Sequence, residues 1–253
     1  GDAGGAESVP DMFAHVTLLG RCLICTLIFF FIFTPGCAWR LPAGGQAPKD
    51  VSASAVHDGR LVAVAQINLA TSRGNYPLRA AIIVQRPAWL RLELLPFIGP
   101  PDLYLTASPE RMSVYLPAQA EFYIGEPTAA NMARFLPWAV SVEEMVAILR
   151  GTCFAPEKGY VSCRYFGEEN PAAGAPTGML KTMIRYDEDN KKIYHVSFDD
   201  YQAQAACPGR IVFDLADGSV RVTLRYTDLK VEKQADKSVF EIDAPGDAKI
   251  IDL

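Results

Sequence analysis

Residues 89–94 read WLRLEL, a stretch in which charged side chains alternate with leucines. In an extended chain, Arg91 and Glu93 point to one side, and Leu90, Leu92 and Leu94 point to the other. Such one-sided patterning is typical of antiparallel sheets with one face on the core and one face in water. The same alternation recurs between residues 219 and 232. The sequence therefore predicts a sheet with one apolar face.

Further segments share this alternation, or are short apolar runs bounded by turn residues. Turn sequences such as Ser-Pro-Glu at 108–110 and Ala-Asp-Gly at 216–218 separate them. The expected strands are 60–69, 77–85, 89–95, 102–107, 111–116, 119–124, 160–166, 179–186, 192–199, 210–215 and 219–232.

Helical signals occupy one stretch between the sixth and seventh expected strands. Thr128 begins a short segment that Pro137 closes. Ser141 with Glu144 three residues later is a capping box, and Gly151 provides the end of this second helix. A long antiparallel sheet with a two-helix insertion buries its apolar face by curling around the helices. We therefore predict a mainly β fold, an incomplete antiparallel β-barrel (half-barrel) lidded by helices.

Composition excludes several classes of protein. The 253 residues are 50% hydrophobic and 21% charged, with a net charge of −5. That apolar fraction is ample for a packed core and does not fit a disordered chain. A nucleic-acid-binding protein would normally carry a basic face, so no nucleic acid is expected as a partner. With three histidines and no His/Cys ligand spacing, no metal site is expected.

Side chains that could support catalysis are isolated or lie at turns. His57 and His195 have no catalytic partner nearby in the sequence. The carboxylates at 187–189 and 199–200 lie at turns, where solvated acidic side chains are common. The sequence contains no nucleophile-elbow, zinc-protease or calcium-loop motif. We therefore expect a binding protein with no catalytic residue and no cofactor.

The N-terminal region has the features of an export signal. An uncharged apolar run spans residues 22–33. It is shorter than the roughly 20 residues that cross a bilayer, and it has the length of the apolar region of a signal peptide. A short helical anchor is the alternative. Pro35 and Gly36 end the run immediately before Cys37.

The pair Gly36-Cys37 resembles the lipobox of bacterial lipoproteins. The resemblance implies that Cys37 is lipidated on its sulfur and becomes the first residue of the mature chain. Ala38, rather than Asp, follows, which by the same resemblance implies the outer membrane. The expected organisation is an N-terminal extension and lipoprotein signal peptide at 1–36, a lipidated cysteine and linker at 37–54, and a lipid-binding half-barrel at 55–253.

Three cysteines remain in the expected mature domain. Cys153 and Cys163 bracket a loop-like stretch, and an oxidising periplasm would permit a disulfide between them. A free, buried pair is the alternative, because sequence spacing does not determine the geometry of the Cβ atoms. Cys207 is expected to pack as a small apolar side chain.

The loop after the strand at 89–95 has an unusual tip. Phe97 and Ile98 are bulky and apolar and are framed by Pro96 and by Gly-Pro-Pro at 99–101. Turns normally carry small or polar residues. An apolar tip is either buried against its own protein or exposed to a partner or a membrane.

The order of these parts resembles the LolB-like outer-membrane lipoproteins of the LolA/LolB superfamily. The resemblance rests on Cys37, on Phe97-Ile98-Gly99 followed by Leu-Tyr-Leu at 103–105, and on the helix end at 147–151; it covers roughly residues 55–232. It implies a cavity that holds the acyl chains of lipoproteins. It also implies that Phe97 and Ile98 form an exposed loop that helps to insert this cargo into the outer membrane.

The resemblance further implies the partners of the protein. They are lipoprotein cargo, a periplasmic LolA-like carrier, and the membrane through a lipid anchor on the periplasmic face; we expect a monomer. The alternatives are a module of the same fold that senses lipid or lipoprotein without delivering it, and a structural subunit of an envelope assembly.

Apolar side chains of the sheet and of the helical stretch are expected to face the cavity. Methionine is flexible and aromatic rings are broad, which suits cargo of variable shape. The same side chains could instead form an ordinary core. The expected set is Leu92, Leu94, Tyr104, Met132, Phe135, Leu136, Trp138, Met145 and Leu149.

Overall fold

The computed structural model describes residues 59–166, 178–201, 207–233 and 236–253. The expected signal peptide, Cys37 and His57 lie outside the described residues. Residues 50–253 form one compact unit. Since this unit has its own hydrophobic core, we expect it to fold when it is produced without residues 1–49.

The described residues form a twelve-stranded sheet. Its order is β12-β6-β5-β4-β3-β2-β1-β11-β10-β9-β8-β7. Neighbouring strands are antiparallel, except that β12 runs parallel to β6. The strands are β1 Arg60–Thr71, β2 Gly74–Gln85, β3 Trp89–Leu95, β4 Leu103–Ala107, β5 Met112–Leu116, β6 Glu121–Gly125, β7 Tyr160–Tyr165, β8 Leu180–Tyr186, β9 Lys192–Asp199, β10 Arg210–Leu215, β11 Val220–Glu232 and β12 Lys249–Asp252.

This topology confirms the predicted open, mainly β fold. Strands β7 and β12 stand at the two ends of the order, and within the described residues no pairing joins them. Each expected strand is present, with ends that differ from the prediction by a few residues. Strand β12 was not predicted from the sequence. No helix in the described ranges is both long enough and apolar enough to cross a membrane.

The centre of the inner face is lined by small side chains. Ala63, Ala65 and Ala80 are buried there, and helix α2, Val142–Arg150, packs against β2 and β3. Since an alanine occupies little space above the sheet, the helix axis can approach the strands closely. The sheet thus encloses α2 on its inner face.

Both ends of α2 are fixed by hydrogen bonds. The amide of Glu144 donates to Ser141 Oγ over 3.1 Å, and the amide of Ser141 donates to Glu144 Oε2 over 2.9 Å; this is the predicted capping box. Gly151 ends the helix with φ of 65°, where a Cβ atom would lie 2.6 Å from Pro208. The hydroxyl of Tyr226 on β11 donates to the carbonyl of Leu149 over 2.8 Å.

Helix α1, Ala129–Met132, is shorter than the predicted segment that begins at Thr128 and is closed by Pro137. The Thr128 hydroxyl accepts from the amide of Asn131 over 3.2 Å, as expected of an N-cap. After Met132 the chain makes a turn instead of a further helical segment.

The C-terminal segment covers part of the outer face of the sheet. A 3-10 helix, Lys237–Phe240, lies over β3, where the Phe240 ring centroid is 5.6 Å from that of Trp89. The guanidinium of Arg91 donates to the carbonyl of Val239 over 2.9 Å. As a result, the Arg91 and Glu93 side chains are only 24% and 19% exposed. The prediction of a water-facing side is therefore wrong for this part of β3.

This covering segment gives the first prediction. Phe240 is 3% exposed, so replacing it with alanine removes a buried ring and leaves a cavity. We expect Phe240→Ala to lower the free energy of unfolding of the 50–253 fragment by about 3 kcal/mol, measured by urea denaturation. The exposed neighbour Glu241 provides the control, since Glu241→Ala is expected to change it by less than about 0.5 kcal/mol. Equal values for the two variants would contradict a structural role for this segment.

Candidate functional site

An apolar cavity of about 200 Å³ lies between the inner face of the sheet and the helical stretch. Its walls come from β1, β2, β3, β10 and β11, from α2, and from the segment that joins α1 to α2. The lining residues are Ile67, Leu69, Leu78, Ile82, Leu92, Leu94, Phe135, Leu136, Pro137, Trp138, Met145, Ile148, Leu149, Ile211, Phe213, Val222 and Leu224. Because each of these is apolar, the cavity suits a hydrocarbon chain.

Residues 135–138 cover the cavity. Phe135 packs edge-on against Tyr123, with ring centroids 5.0 Å apart, and Trp138 stacks on Phe213 with centroids 4.7 Å apart. The indole Nε1 of Trp138 is buried and has no hydrogen-bond acceptor among the described residues. A buried donor without an acceptor costs free energy.

Seven of the nine side chains expected to face the cavity line it. They are Leu92, Leu94, Phe135, Leu136, Trp138, Met145 and Leu149. Met132 is fully buried and belongs to the core beside the cavity. Tyr104 differs from the expectation, because it pairs with Glu93. It therefore lies on the outer face, where its ring stacks on Tyr115 with a centroid distance of 6.0 Å.

The prediction missed the cavity residues of the other four strands. Ile67 and Leu69 on β1, and Val222 and Leu224 on β11, alternate with polar residues and face inward together. The alternation itself carried this information. What it could not supply is the order of strands, which brings β1 between β2 and β11 and so places these side chains opposite the lid.

The loop after β3 projects from the sheet with its apolar tip in solvent. Phe97 is 94% exposed and Ile98 is 84% exposed. The amide of Asp102 donates to the carbonyl of Leu94 over 2.9 Å, which closes the base of the loop. Leu94 lines the cavity, so the exposed tip is only three residues from the cavity wall.

A buried ion pair holds α2 to strand β8. Arg185 Nε lies 3.1 Å from Glu144 Oε1, and the two side chains are 10% and 13% exposed. Arg185 also donates to the carbonyls of Lys158 and Tyr186. On the adjacent strand, burial and the Glu144 carboxylate raise the pKa of Tyr194. This cluster fixes the helix that forms one wall of the cavity.

A larger, polar cleft of about 830 Å³ lies beside the N-terminus of α2. Its lining includes Glu110, Glu126, Glu143 and Glu157. An apolar chain placed there would remove water from these carboxylates, which is unfavourable. The smaller apolar cavity is therefore the candidate site for a hydrophobic ligand.

The polar side chains that the sequence analysis considered for catalysis make local contacts in the structure. Asp187 accepts hydrogen bonds from the amides of Asp189 and Lys191 and so stabilises its own turn. Asp200 pairs with Arg225 over 3.1 Å. Burial lowers the pKa of His195. Within the ranges that the structure describes, no three His, Cys, Asp or Glu side chains are grouped to hold a metal ion.

The cysteines lie away from the cavity lining. Cys153 and Cys163 form a disulfide, with Cα atoms 6.2 Å apart, and it ties the chain after α2 to strand β7. Cys207 is a free thiol in the core, and burial raises its pKa. A raised pKa makes a thiol a poor nucleophile at neutral pH.

Together these features define an open β-half-barrel with an apolar cavity covered by residues 135–138 and an exposed apolar loop at its rim. No family model matches the chain, and no curated protein matches it in sequence. Solved structures are similar to it in fold.

Three of these structures are similar over most of their length. One is a LolA superfamily protein from Nitrosomonas europaea, 13% identical, which covers 74% of this chain and 91% of its own, with a TM-score of 0.48. A DUF1329 family protein from Desulfovibrio piger is 13% identical, with coverages of 74% and 92% and a TM-score of 0.48. The third is a domain assigned to an outer membrane lipoprotein-sorting protein of Vibrio parahaemolyticus, 12% identical, with coverages of 72% and 89% and a TM-score of 0.47.

The buried ion pair gives the second prediction. Removing the Glu144 carboxylate leaves the Arg185 charge buried without its counter-charge and also removes one of the two hydrogen bonds of the capping box. We expect Glu144→Ala to lower the free energy of unfolding by about 3 kcal/mol in urea denaturation of the 50–253 fragment. Glu143 is on the same helical turn but exposed, so Glu143→Ala should cost less than about 0.5 kcal/mol. A small effect at both positions would show that the pair does not hold the helix.

Proposed function

We propose that this protein binds the acyl chains of lipoproteins in its apolar cavity and helps to insert them into the outer membrane. The single observation that carries the proposal is the apolar cavity under the 135–138 lid, with an exposed apolar tip at its rim. The chemistry is binding and not catalysis, since an acyl chain needs only a dry, apolar wall.

The cavity favours a hydrocarbon ligand, because its lining is apolar. At about 200 Å³ the cavity is smaller than most small-molecule sites. Binding of more than one chain would therefore require the 135–138 lid to move.

The exposed loop at the rim of the cavity supports the proposed role in membrane insertion. An exposed apolar tip has an unfavourable contact with water that entry into a bilayer relieves. Phe97 and Ile98 lie only three and four residues after the cavity residue Leu94, so a ligand leaving the cavity at this rim would meet the membrane at the loop. No nucleotide is needed, because a difference in affinity of about 1.4 kcal/mol between carrier and receptor already gives a tenfold bias.

Anchoring at the outer membrane belongs to the same proposal. Cys37, outside the described residues, would carry the lipid, and the rest of the predicted 37–54 linker would connect it to the domain. The partners would be the lipoprotein cargo and a periplasmic carrier that delivers it, with the protein acting as a monomer.

Acyl binding can be tested with the tryptophans of the 50–253 fragment. Only Trp89 and Trp138 are present in it; Trp138 lines the cavity, whereas Trp89 packs under Phe240 on the outer face. A brominated fatty acid quenches a tryptophan that it contacts, because bromine is a heavy-atom quencher of short range. We expect the Trp89→Phe variant, which retains Trp138, to lose most of its fluorescence at saturation.

The matched variant Trp138→Phe, which retains Trp89, should keep its fluorescence under the same conditions. Native mass spectrometry of the same samples should show one bound fatty acid. If the Trp89→Phe variant is not quenched and no ligand mass appears, the interior is a filled core and the proposed function is wrong.

Membrane insertion can be tested at Ile98. Burial of an isoleucine side chain contributes about 2 kcal/mol, and a glutamate in its place must bring a charge to the apolar boundary. We expect Ile98→Glu to weaken binding of the fragment to phospholipid vesicles by at least about tenfold, with fatty-acid binding unchanged.

The control is Ile250→Glu, because Ile250 is also an exposed isoleucine, 59% accessible, but lies on β12. This variant should bind vesicles as the unmodified fragment does. Loss of a protein complex, with vesicle binding intact in Ile98→Glu, would instead indicate a subunit of an envelope assembly.

A further inference from the structure

We propose that the outer face of the sheet beside the 96–102 loop is a phospholipid-headgroup site. In this site Arg79 and Arg225 bind the phosphate while Phe97 and Ile98 enter the bilayer. The inference rests on the proposed function, since the loop must meet a membrane. It adds a polar recognition site on the face of the sheet opposite the acyl cavity.

A groove of about 720 Å³ lies on this outer face against the loop. Its polar lining includes the guanidinium groups of Arg79 and Arg225, the amide of Gln66 and the hydroxyl of Thr223, and Phe97 forms its edge. Guanidinium, amide and hydroxyl groups are the donors that proteins use for phosphate oxygens, and arginine can bind a phosphate with two parallel hydrogen bonds. The groove therefore has the chemistry of a phosphate site.

Strand register places these donors in one row across the sheet. Arg79 on β2 pairs with Gln66 on β1, and Gln66 pairs with Arg225 on β11. Directly paired residues lie on the same face. Since neighbouring strands are about 4.8 Å apart, the two arginines start about 10 Å from each other, with Gln66 between them. Their side chains are long enough to reach one phosphate from both sides.

Arg79 supplies an uncompensated positive charge in the groove, since it forms no ion pair with any described residue. Arg225 pairs with Asp200, but both side chains are more than half exposed, at 56% and 55%, and such pairs are weak. The carboxylates near the row are Asp200 and, among the lining residues, Asp102. An anionic ligand would therefore be attracted mainly by Arg79 and would compete with Asp200 for Arg225.

The row of donors lies beside the loop. Leu95, the last residue of β3, pairs with Arg79, and Pro96 and Phe97 line the same groove. A phosphate bound by Arg79 and Arg225 would therefore lie next to the loop that is proposed to enter the bilayer.

The test compares two kinds of vesicle, using the 50–253 fragment in flotation assays. One contains phosphatidylglycerol in phosphatidylcholine, and the other consists of an uncharged galactolipid that has no phosphate. An arginine near an anionic membrane surface contributes a factor of about five to binding. We expect the double variant Arg79→Gln/Arg225→Gln to bind the phospholipid vesicles about 25-fold more weakly and the galactolipid vesicles as well as the unmodified fragment.

Arg111 provides the matched control. It is exposed and lies at the turn before β5, at the opposite end of β4 from the loop, so Arg111→Gln should change neither measurement. Unchanged galactolipid binding also shows that the double variant is folded.

The two proposals fail in different ways. If the double variant binds phospholipid vesicles like the unmodified fragment while Ile98→Glu does not, the headgroup site is wrong and the insertion loop stands. If the double variant loses both kinds of vesicle equally, the arginines do not recognise phosphate and the inference is overturned. If the unmodified fragment binds neither vesicle, both proposals are wrong.

Discussion

Packing of helix α2 against β2 and β3 is the contact on which the rest of the structure depends. An open sheet has one long apolar face that must be kept from water, and α2 is too short to cover it alone. The small side chains of Ala63, Ala65 and Ala80 are buried at the centre of this face. Larger side chains such as Ile67, Leu69 and Leu78 follow toward the loop end of the same strands. The space between the helix, the lid and these larger side chains is the cavity.

The position of α2 is fixed more firmly than that of the lid. Its first turn is held by the capping box and by Arg185, and its last turn by Tyr226 and Arg150, whose guanidinium donates to the carbonyl of Gly59 over 2.6 Å. Residues 135–138 are instead held mainly by ring contacts such as that of Trp138 with Phe213. Ring contacts are less directional than a buried ion pair. Motion that widens the cavity is therefore expected in the lid and not in α2.

The fold was largely predictable because its signals are local. Alternation identified the strands, and Ser141 with Glu144 identified α2. Strand β12 has no such signal, since four residues pair in parallel with a strand more than a hundred residues earlier. The placement of Tyr104 in the cavity was wrong for a different reason. Its neighbours Leu103 and Leu105 face inward, and because side chains alternate along a strand, Tyr104 must face outward. The alternation contained this information, whereas its partners on the outer face could be known only from the sheet order.

The alternation of side chains between the two faces of the sheet connects the proposed acyl and headgroup sites. Leu94 lines the cavity on the inner face, and Leu95, the next residue, pairs with Arg79 in the outer row. Consecutive residues of β3 thus reach both faces of the sheet at the point where the loop begins. A ligand with an apolar chain and a membrane with a polar surface would meet the protein at this one edge. In the proposed function, binding of the headgroup would orient the loop so that the rim of the cavity faces the bilayer, and the acyl chain would travel the shortest path between two apolar environments.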